Sequence, residues 1–188
     1  MNTFLTDESF MTQEGSYFMN EIPYPLKICI IGNHTQLQTQ FITNYTKRRT
    51  LSHLPTLGLE RYVKNITINN QSIKLILVNT AGKQFFKKLR PSYYCGASAA
   101  IIIFDKNDQS SLDAVEFWYN EFKAHFPLSS PPIALVGIIT GSDDLPSVNG
   151  QDSAAVLGVD YYEATPMDTE VIERIFHDLI LKVLKKES

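Results

Sequence analysis

Residues 26–45 read LKICIIGNHTQLQTQFITNY, and this stretch decides the fold. Apart from Lys27 it opens as an apolar run, stops at Gly32, passes through a polar segment and resumes as a helical pattern over residues 37–45. Such an order is that of a buried strand feeding through a loop into a helix. The unit recurs. AAIIIFD at 99–105 predicts a strand covered on both faces, and Leu112, Val115, Trp118, Tyr119 and Phe122 place one apolar stripe on a helix over 110–126. Residues 132–139 repeat the buried-strand pattern, 152–157 read as a short helix and 159–163 as a last strand. The pairs Val171/Ile172, Ile175/Phe176, Leu179/Ile180 and Val183/Leu184 then advance four residues at a time, which predicts a long C-terminal helix.

RYVKNITI at 61–68 and SIKLILVN at 72–79 alternate apolar and polar positions across Asn69, Asn70 and Gln71, and so predict a hairpin. Strands alternating with helices around one antiparallel hairpin imply an α/β fold. Its form is a three-layer sandwich with a mostly parallel six-stranded sheet, right-handed crossovers and helices on both faces. Ligands of such folds bind beyond the carboxyl ends of the strands, so the loops after residues 31, 79, 105, 138 and 163 are where chemistry is expected.

Composition narrows the function. The 188 residues are enough for one core, and 44% hydrophobic with 20% charged residues is an ordinary globular balance. With 17 Lys+Arg against 20 Asp+Glu there is no global basic field, and nucleic acid is not an expected partner. Cys29 and Cys95 lie in apolar or small-residue stretches without CxxC spacing and read as buried free thiols. No apolar run approaches the ~20 residues of a membrane span and no secretory signal opens the chain, so a cytoplasmic location is expected. Residues 1–25 form an acidic N-terminal leader, carrying Asp7, Glu8, Glu14 and Glu21 without Lys or Arg, and residues 26–186 form the domain. Phe4, Phe10, Phe18 and Met19 give the leader apolar groups with which to dock on the domain.

Six segments, in order and each at a strand end, carry a family likeness. They are KICIIG at the first strand, LPTLGLE at 54–60, NTAGKQF at 79–85, RPSYYCGASAAIIIFD at 90–105, PPIALVG at 131–137 and YYEAT at 161–165. Together they resemble the Ras superfamily of small GTPases, and most of all its Rab-like branch, over residues 26–186. The resemblance implies the Ras-like P-loop NTPase fold and, in members with intact motifs, binding of GTP or GDP with Mg²⁺ and slow GTP hydrolysis.

This chain departs from those motifs at each catalytic position. In the family GxxxxGK[ST] cradles phosphates with backbone N–H groups, neutralises them with Lys and ligates Mg²⁺ with the hydroxyl. Here GNHTQLQT keeps Gly32 and Thr39, but Leu37 replaces the second glycine and Gln38 the lysine. Without the family, the window is a polar loop before a helix. DTAGQ becomes Asn79, Gly82 and Lys83, with Gln84 one place late, and the base-reading NKxD becomes Ile138, Ile139, Thr140 and Gly141. Asp143 and Asp144 stand two and three residues late, as turn residues or as substitutes in a refolded loop. Thr165, Pro166 and Met167 replace SAK, and Pro166 has no N–H for a base carbonyl. A charge-assisted hydrogen bond contributes ~1.5–3 kcal/mol, so losing three costs roughly 5–9 kcal/mol if additive. The expected pocket is therefore vestigial: Gly32, Gln38, Thr39, Thr56, Asn79 and Gly82.

The implied function is a pseudo-GTPase acting as a protein-interaction module or complex subunit, with no catalytic residue and no cofactor expected. The alternative is a GTPase that binds GTP/GDP and Mg²⁺ weakly through a rearranged pocket and regulates membrane traffic or signalling. Partners are expected on the switch-like surface, Leu54–Glu60 and Lys83–Tyr94, where Lys83, Lys87 and Arg90 would share a basic face if 83–90 were helical. The terminal KKES and the Asn at position 2 match no prenyl or myristoyl signal, so no lipid anchor is expected.

Overall fold

The computed structural model describes residues 20–21, 25–47, 52–54, 59–80, 87–141 and 147–187. Eight strands are present: β1 (Asn20–Glu21), β2 (Leu26–Gly32), β3 (Ser52–Leu54), β4 (Leu59–Ile68), β5 (Gln71–Thr80), β6 (Ala99–Asp105), β7 (Ile133–Ile138) and β8 (Asp160–Ala164). They form one sheet in the order β3-β4-β5-β2-β6-β7-β8, with β1 pairing beside β5. Six are the strands the sequence predicts, and β1 and β3 are short additions of two and three residues. Only the β3–β4 and β4–β5 pairings are antiparallel. Asn69 and Asn70 turn the β4–β5 hairpin with φ of 52° and 60°. These are the left-handed values a two-residue type I′ turn requires and asparagine tolerates.

Two cores sit on opposite faces of the sheet, because alternate residues of each central strand point opposite ways. Ile28 and Ile30 of β2, Ile101 and Ile103 of β6 and Val136 of β7 face one core. Cys29 and Ile31, Ile102 and Phe104, and Leu135 face the other. The first is closed by α1 (Thr35–Thr46) and α6 (Thr169–Glu187), through Phe41, Ile42, Ile172, Phe176 and Ile180. The second is closed by α2 (Arg90–Tyr94), α3 (Gln109–Asp113), α4 (Val115–Lys123) and α5 (Gln151–Leu157).

Local structure departs from the sequence expectations in three places. The helix expected over 110–126 is broken at Ala114 into α3 and α4, with Asp108 capping α3 by accepting from the Ser110 N–H. Helix α1 starts at Thr35 rather than Leu37. Cys95 is exposed, not buried, because it follows the last turn of α2; Cys29 is buried in β2, and burial raises its thiol pKa to about 12. No helix among the described residues is long and apolar enough to cross a membrane.

Gly137 illustrates how closely β7 meets its cover. A Cβ there would sit 2.8 Å from the Phe104 ring, 3.0 Å from Lys106 Cγ and 3.0 Å from the Tyr161 hydroxyl. Gly137→Ala is expected to destabilise the fold by about 1–3 kcal/mol, the usual cost of overpacking, read as a lowered urea midpoint at constant slope.

Candidate functional site

At the carboxyl end of β2, only Asn33 and His34 separate Gly32 from α1. The Gln38 N–H already donates to the His34 carbonyl at 3.1 Å, so the backbone of this window is helical where a phosphate cradle would be open loop. Both loop residues are tied to neighbouring helices. Trp118 Nε1 of α4 donates to Asn33 Oδ1 at 2.8 Å, and His34 Nε2 lies 3.0 Å from Asp108 Oδ2 at the head of α3. Hydrogen bonds from Ser110, then from His34, hold the Asp108 carboxyl below the usual range.

Gly32, with φ of 149°, can take no side chain, since a Cβ would collide with the Ile103 carbonyl. Gln38 folds back beside it and is fully buried, and neither of its amide atoms has a hydrogen-bond partner. A lysine here could not be accommodated without a counter-charge. The neutral amide avoids that penalty and still bears the smaller cost of two unsatisfied polar atoms.

Next to it lies a polar network. Thr39 of α1, Glu60 of β4 and Asn79 of β5 meet around one carboxylate oxygen. Asn79 Nδ2 donates to Glu60 Oε2 at 2.8 Å and to Thr39 Oγ1 at 2.9 Å. Thr39 Oγ1 is 2.9 Å from Glu60 Oε2 and 2.9 Å from the Thr35 carbonyl, and donates to one or the other. The Tyr62 hydroxyl donates to the same Glu60 oxygen at 3.1 Å; burial, with the Glu60 charge second, raises its pKa to about 12.

Whether Mg²⁺ fits here follows from the donors. A hard divalent cation wants several convergent oxygen lone pairs, whereas Glu60 Oε2 faces hydrogen-bond donors, Thr39 is engaged with Glu60 and Asn79, and the buried Asn79 Oδ1, without a partner among the described residues, offers one neutral oxygen. The residues present do not fit the metal. Among the described residues no cluster of three His, Cys, Asp or Glu side chains is placed to hold one.

The base-side loop is likewise committed. Thr140 Oγ1 donates to Asp105 Oδ1 at 2.7 Å, the Asn107 N–H donates to that oxygen at 2.9 Å, and the Asn107 amide bonds the Thr140 carbonyl. The Ile139 N–H donates to the Ala164 carbonyl at 2.9 Å, and Asn44 Nδ2 donates to the Pro166 carbonyl at 3.0 Å. What remains is a depression of about 700 Å³ over Asn33–Leu37, Gln40, Asp105, Ile139–Gly141 and Pro166. Among the described residues Asp105 is its one carboxylate, and no lysine or arginine lines it.

The second-switch segment is anchored differently from the sequence expectation. Residues 87–89 form a turn and the helix begins at Arg90, so Arg90 does not join a solvated basic face. It is buried. Arg90 Nε and Nη2 donate to Glu121 Oε1 and Oε2 at 2.7 Å each, its guanidinium lies 4.9 Å from the Trp118 ring, and the Tyr94 hydroxyl donates to Glu121 Oε1 at 2.8 Å. Burial alone would raise the Glu121 carboxyl, but hydrogen bonds from Arg90 and Tyr94 outweigh it and hold the group below the usual range. Tyr94 is also fully buried, which leaves Lys87, Lys88, Leu89, Pro91 and Ser92 as the outward residues of this part of the expected partner surface.

Of the expected pocket residues, the structure brings Gly32, Gln38, Thr39 and Asn79 together. Thr56, Gly82, Lys83, Gln84, Asp143 and Asp144 lie outside the described residues, as do residues 1–19 of the leader. Asn33, Asp108, Trp118 and the role of Glu60 were not anticipated. Their partners are 74 to 85 residues away for the loop and 19 to 21 for Glu60, so only the β4–β5 register and the placing of α1 and α4 reveal them.

Comparison with known proteins agrees with the fold. The Ras family model matches residues 27–185. The human Ras-related protein Rab-3A is 29% identical over 187 residues, covering 97% of this chain and 84% of that protein. The GTP-binding protein ypt3 of Schizosaccharomyces pombe is 28% identical over 179 residues, with 93% and 81% covered.

Two substitutions test the polar anchors. Asn79→Asp removes both donors and sets a second carboxylate against Glu60, and is expected to cost about 2–3 kcal/mol at neutral pH. The loss should shrink on acidification, as one of the two carboxyls takes a proton, and on adding Glu60→Gln, measured by urea denaturation. Glu121→Gln leaves Arg90 buried without its counter-charge and is expected to cost about 3–5 kcal/mol at pH 7. A carboxyl depressed on folding adds stability that is complete above its unfolded pKa and is lost as pH falls through its folded one. The gap between Glu121→Gln and wild type should therefore close below roughly pH 4.

Proposed function

We propose that this chain, which belongs to the Ras family and is Rab-like, works as a pseudo-GTPase, a protein-interaction module or complex subunit whose nucleotide chemistry is weak or lost. The observation that carries the reading is Glu60. Its carboxylate gathers Thr39, Asn79 and Tyr62 into a protein-only network at the place where the family's hydroxyl and carboxylate would serve Mg²⁺. Support comes from the helical backbone of the phosphate window, from the neutral buried Gln38 in the lysine position, and from a depression without a cation.

An ordinary family member orders its switch segments when nucleotide binds. Here, Glu60 ties β4 to α1, and Arg90 ties the base of α2 to α4, through contacts that need no ligand. The described residues of the partner surface are thus braced by protein contacts. Its partners meet the segments Leu54–Glu60 and Lys83–Tyr94, in the cytoplasm.

One observation favours a second reading, a GTPase with weak affinity. The first turn of α1 has no side-chain cap, and its free N–H groups open towards the depression, which attracts anions to some degree.

One experiment separates the two. The protein is purified without added nucleotide, denatured, and the supernatant chromatographed, and its melting temperature is measured with millimolar GTP, GDP or ATP plus Mg²⁺. No released nucleotide and an unchanged melting temperature are expected. Stoichiometric guanine nucleotide, or a rise of several degrees selective for guanine over adenine, would overturn the pseudo-GTPase reading.

A further inference from the structure

A second concavity, sharing no residue with the depression at the strand ends, runs between the α3–α4 segment and α5. Its volume is about 450 Å³. Leu112 and Leu157 form its floor, half-buried and packed against the second core, and Val156 on the bank is 86% exposed. Gln109, Leu112, Asp113 and Glu116 recur at helical spacing on one side; Asp152, Ser153, Val156 and Leu157 do so on the other. The apolar strip is therefore continuous across two helices.

Charge then decides what covers the strip. Asp113 and Glu116 stand on one bank and Asp152 on the other, and among the described residues no lysine or arginine lines the groove. Gln109 Nε2 donates to Asp113 Oδ1 at 2.8 Å, and none of the three carboxylates is in an ion pair among the described residues. By contrast Asp160 is paired with Lys182, and Glu163 with Lys106. A scattered exposed valine needs no explanation, but an apolar floor between unneutralised carboxylates on facing helices is a surface with both a hydrophobic and an electrostatic complement. Anionic ligands, nucleotides and nucleic acid included, are repelled.

We infer that this groove docks an amphipathic helix of another protein, one that lays two apolar residues spaced four apart over Leu112, Val156 and Leu157 and carries Lys or Arg on its flanks to meet Asp113, Glu116 and Asp152. The groove shares no lining residue with the α1 window or the Glu60 network.

A library of random helical 16-residue peptides displayed on phage and selected on the full chain, with counter-selection on the Val156→Asp/Glu116→Lys double variant, tests this. The expected winners carry net positive charge around an i, i+4 apolar pair. A synthetic winner should shift amide resonances of residues 109–116 and 151–157, and its Kd should rise at least tenfold on Glu116→Lys. It should also rise with added salt. Acidic or uncharged winners, no enrichment over the double variant, or resonance shifts confined to another face would each overturn the inference. So would concentration-dependent dimerisation abolished by Glu116→Lys, which would assign the groove to a second copy of this chain. Circular dichroism of both variants checks that the fold is kept, and the isosteric Glu116→Gln, which removes one charge, should weaken the peptide less than Glu116→Lys.

Discussion

Glu60 Oε2 lies within hydrogen-bond distance of groups on three elements, Thr39 of α1, Asn79 of β5 and Tyr62 of its own strand β4, and the arrangement at the strand ends depends on that convergence. A carboxylate with several donors is costly to free, because the buried donors left behind, Asn79 and Tyr62, would be unsatisfied. The network therefore stands where a cation would otherwise be needed to hold these elements together. It also sets the polarity of its surroundings. Asn79 must be a donor, which explains why an amide suits the position where the family has an acid, and Thr39 must point its hydroxyl at protein rather than solvent.

The neighbouring loop follows the same logic. With two residues between Gly32 and α1, it is short, and both are bonded to α3 or α4. Trp118 joins this loop to the second-switch anchor, since its N–H serves Asn33 while its ring lies beneath Arg90. The chain Asn33–Trp118–Arg90–Glu121–Tyr94 thus links two segments that in nucleotide-dependent relatives communicate through the ligand. A buried ion pair of this kind contributes less to net stability than to fixing one arrangement, because its desolvation offsets most of its attraction.

Much of the fold was legible in residues 26–45 and their repeats, because doubly buried strands leave continuous apolar runs that periodicity detects and the hairpin turn is spelled by Asn69–Asn70. The nearness of Gly32, Gln38, Thr39 and Asn79 at the strand ends was legible as well. What was not legible is non-local. Thr35 and Gln36 are polar, so the apolar pattern begins only at Leu37, although the helix starts at Thr35. Arg90 reads as a surface cation until Glu121, 31 residues on, is seen to meet it. Cys95 sits among small residues, but the end of α2 turns it outward. In each case the sequence shows residue type and spacing, while the tertiary neighbour decides the outcome.

Trp118 is the only tryptophan in the chain. It is 2% exposed, hydrogen-bonded through its indole nitrogen to Asn33 and stacked on Arg90. An indole's emission depends on the polarity and hydrogen bonding around its ring, so the tryptophan fluorescence of the native protein originates wholly at the junction of the phosphate window and the second-switch anchor. The molecule thus carries an intrinsic optical probe at the point where a nucleotide-driven rearrangement would have to pass, and that probe needs no label to be read.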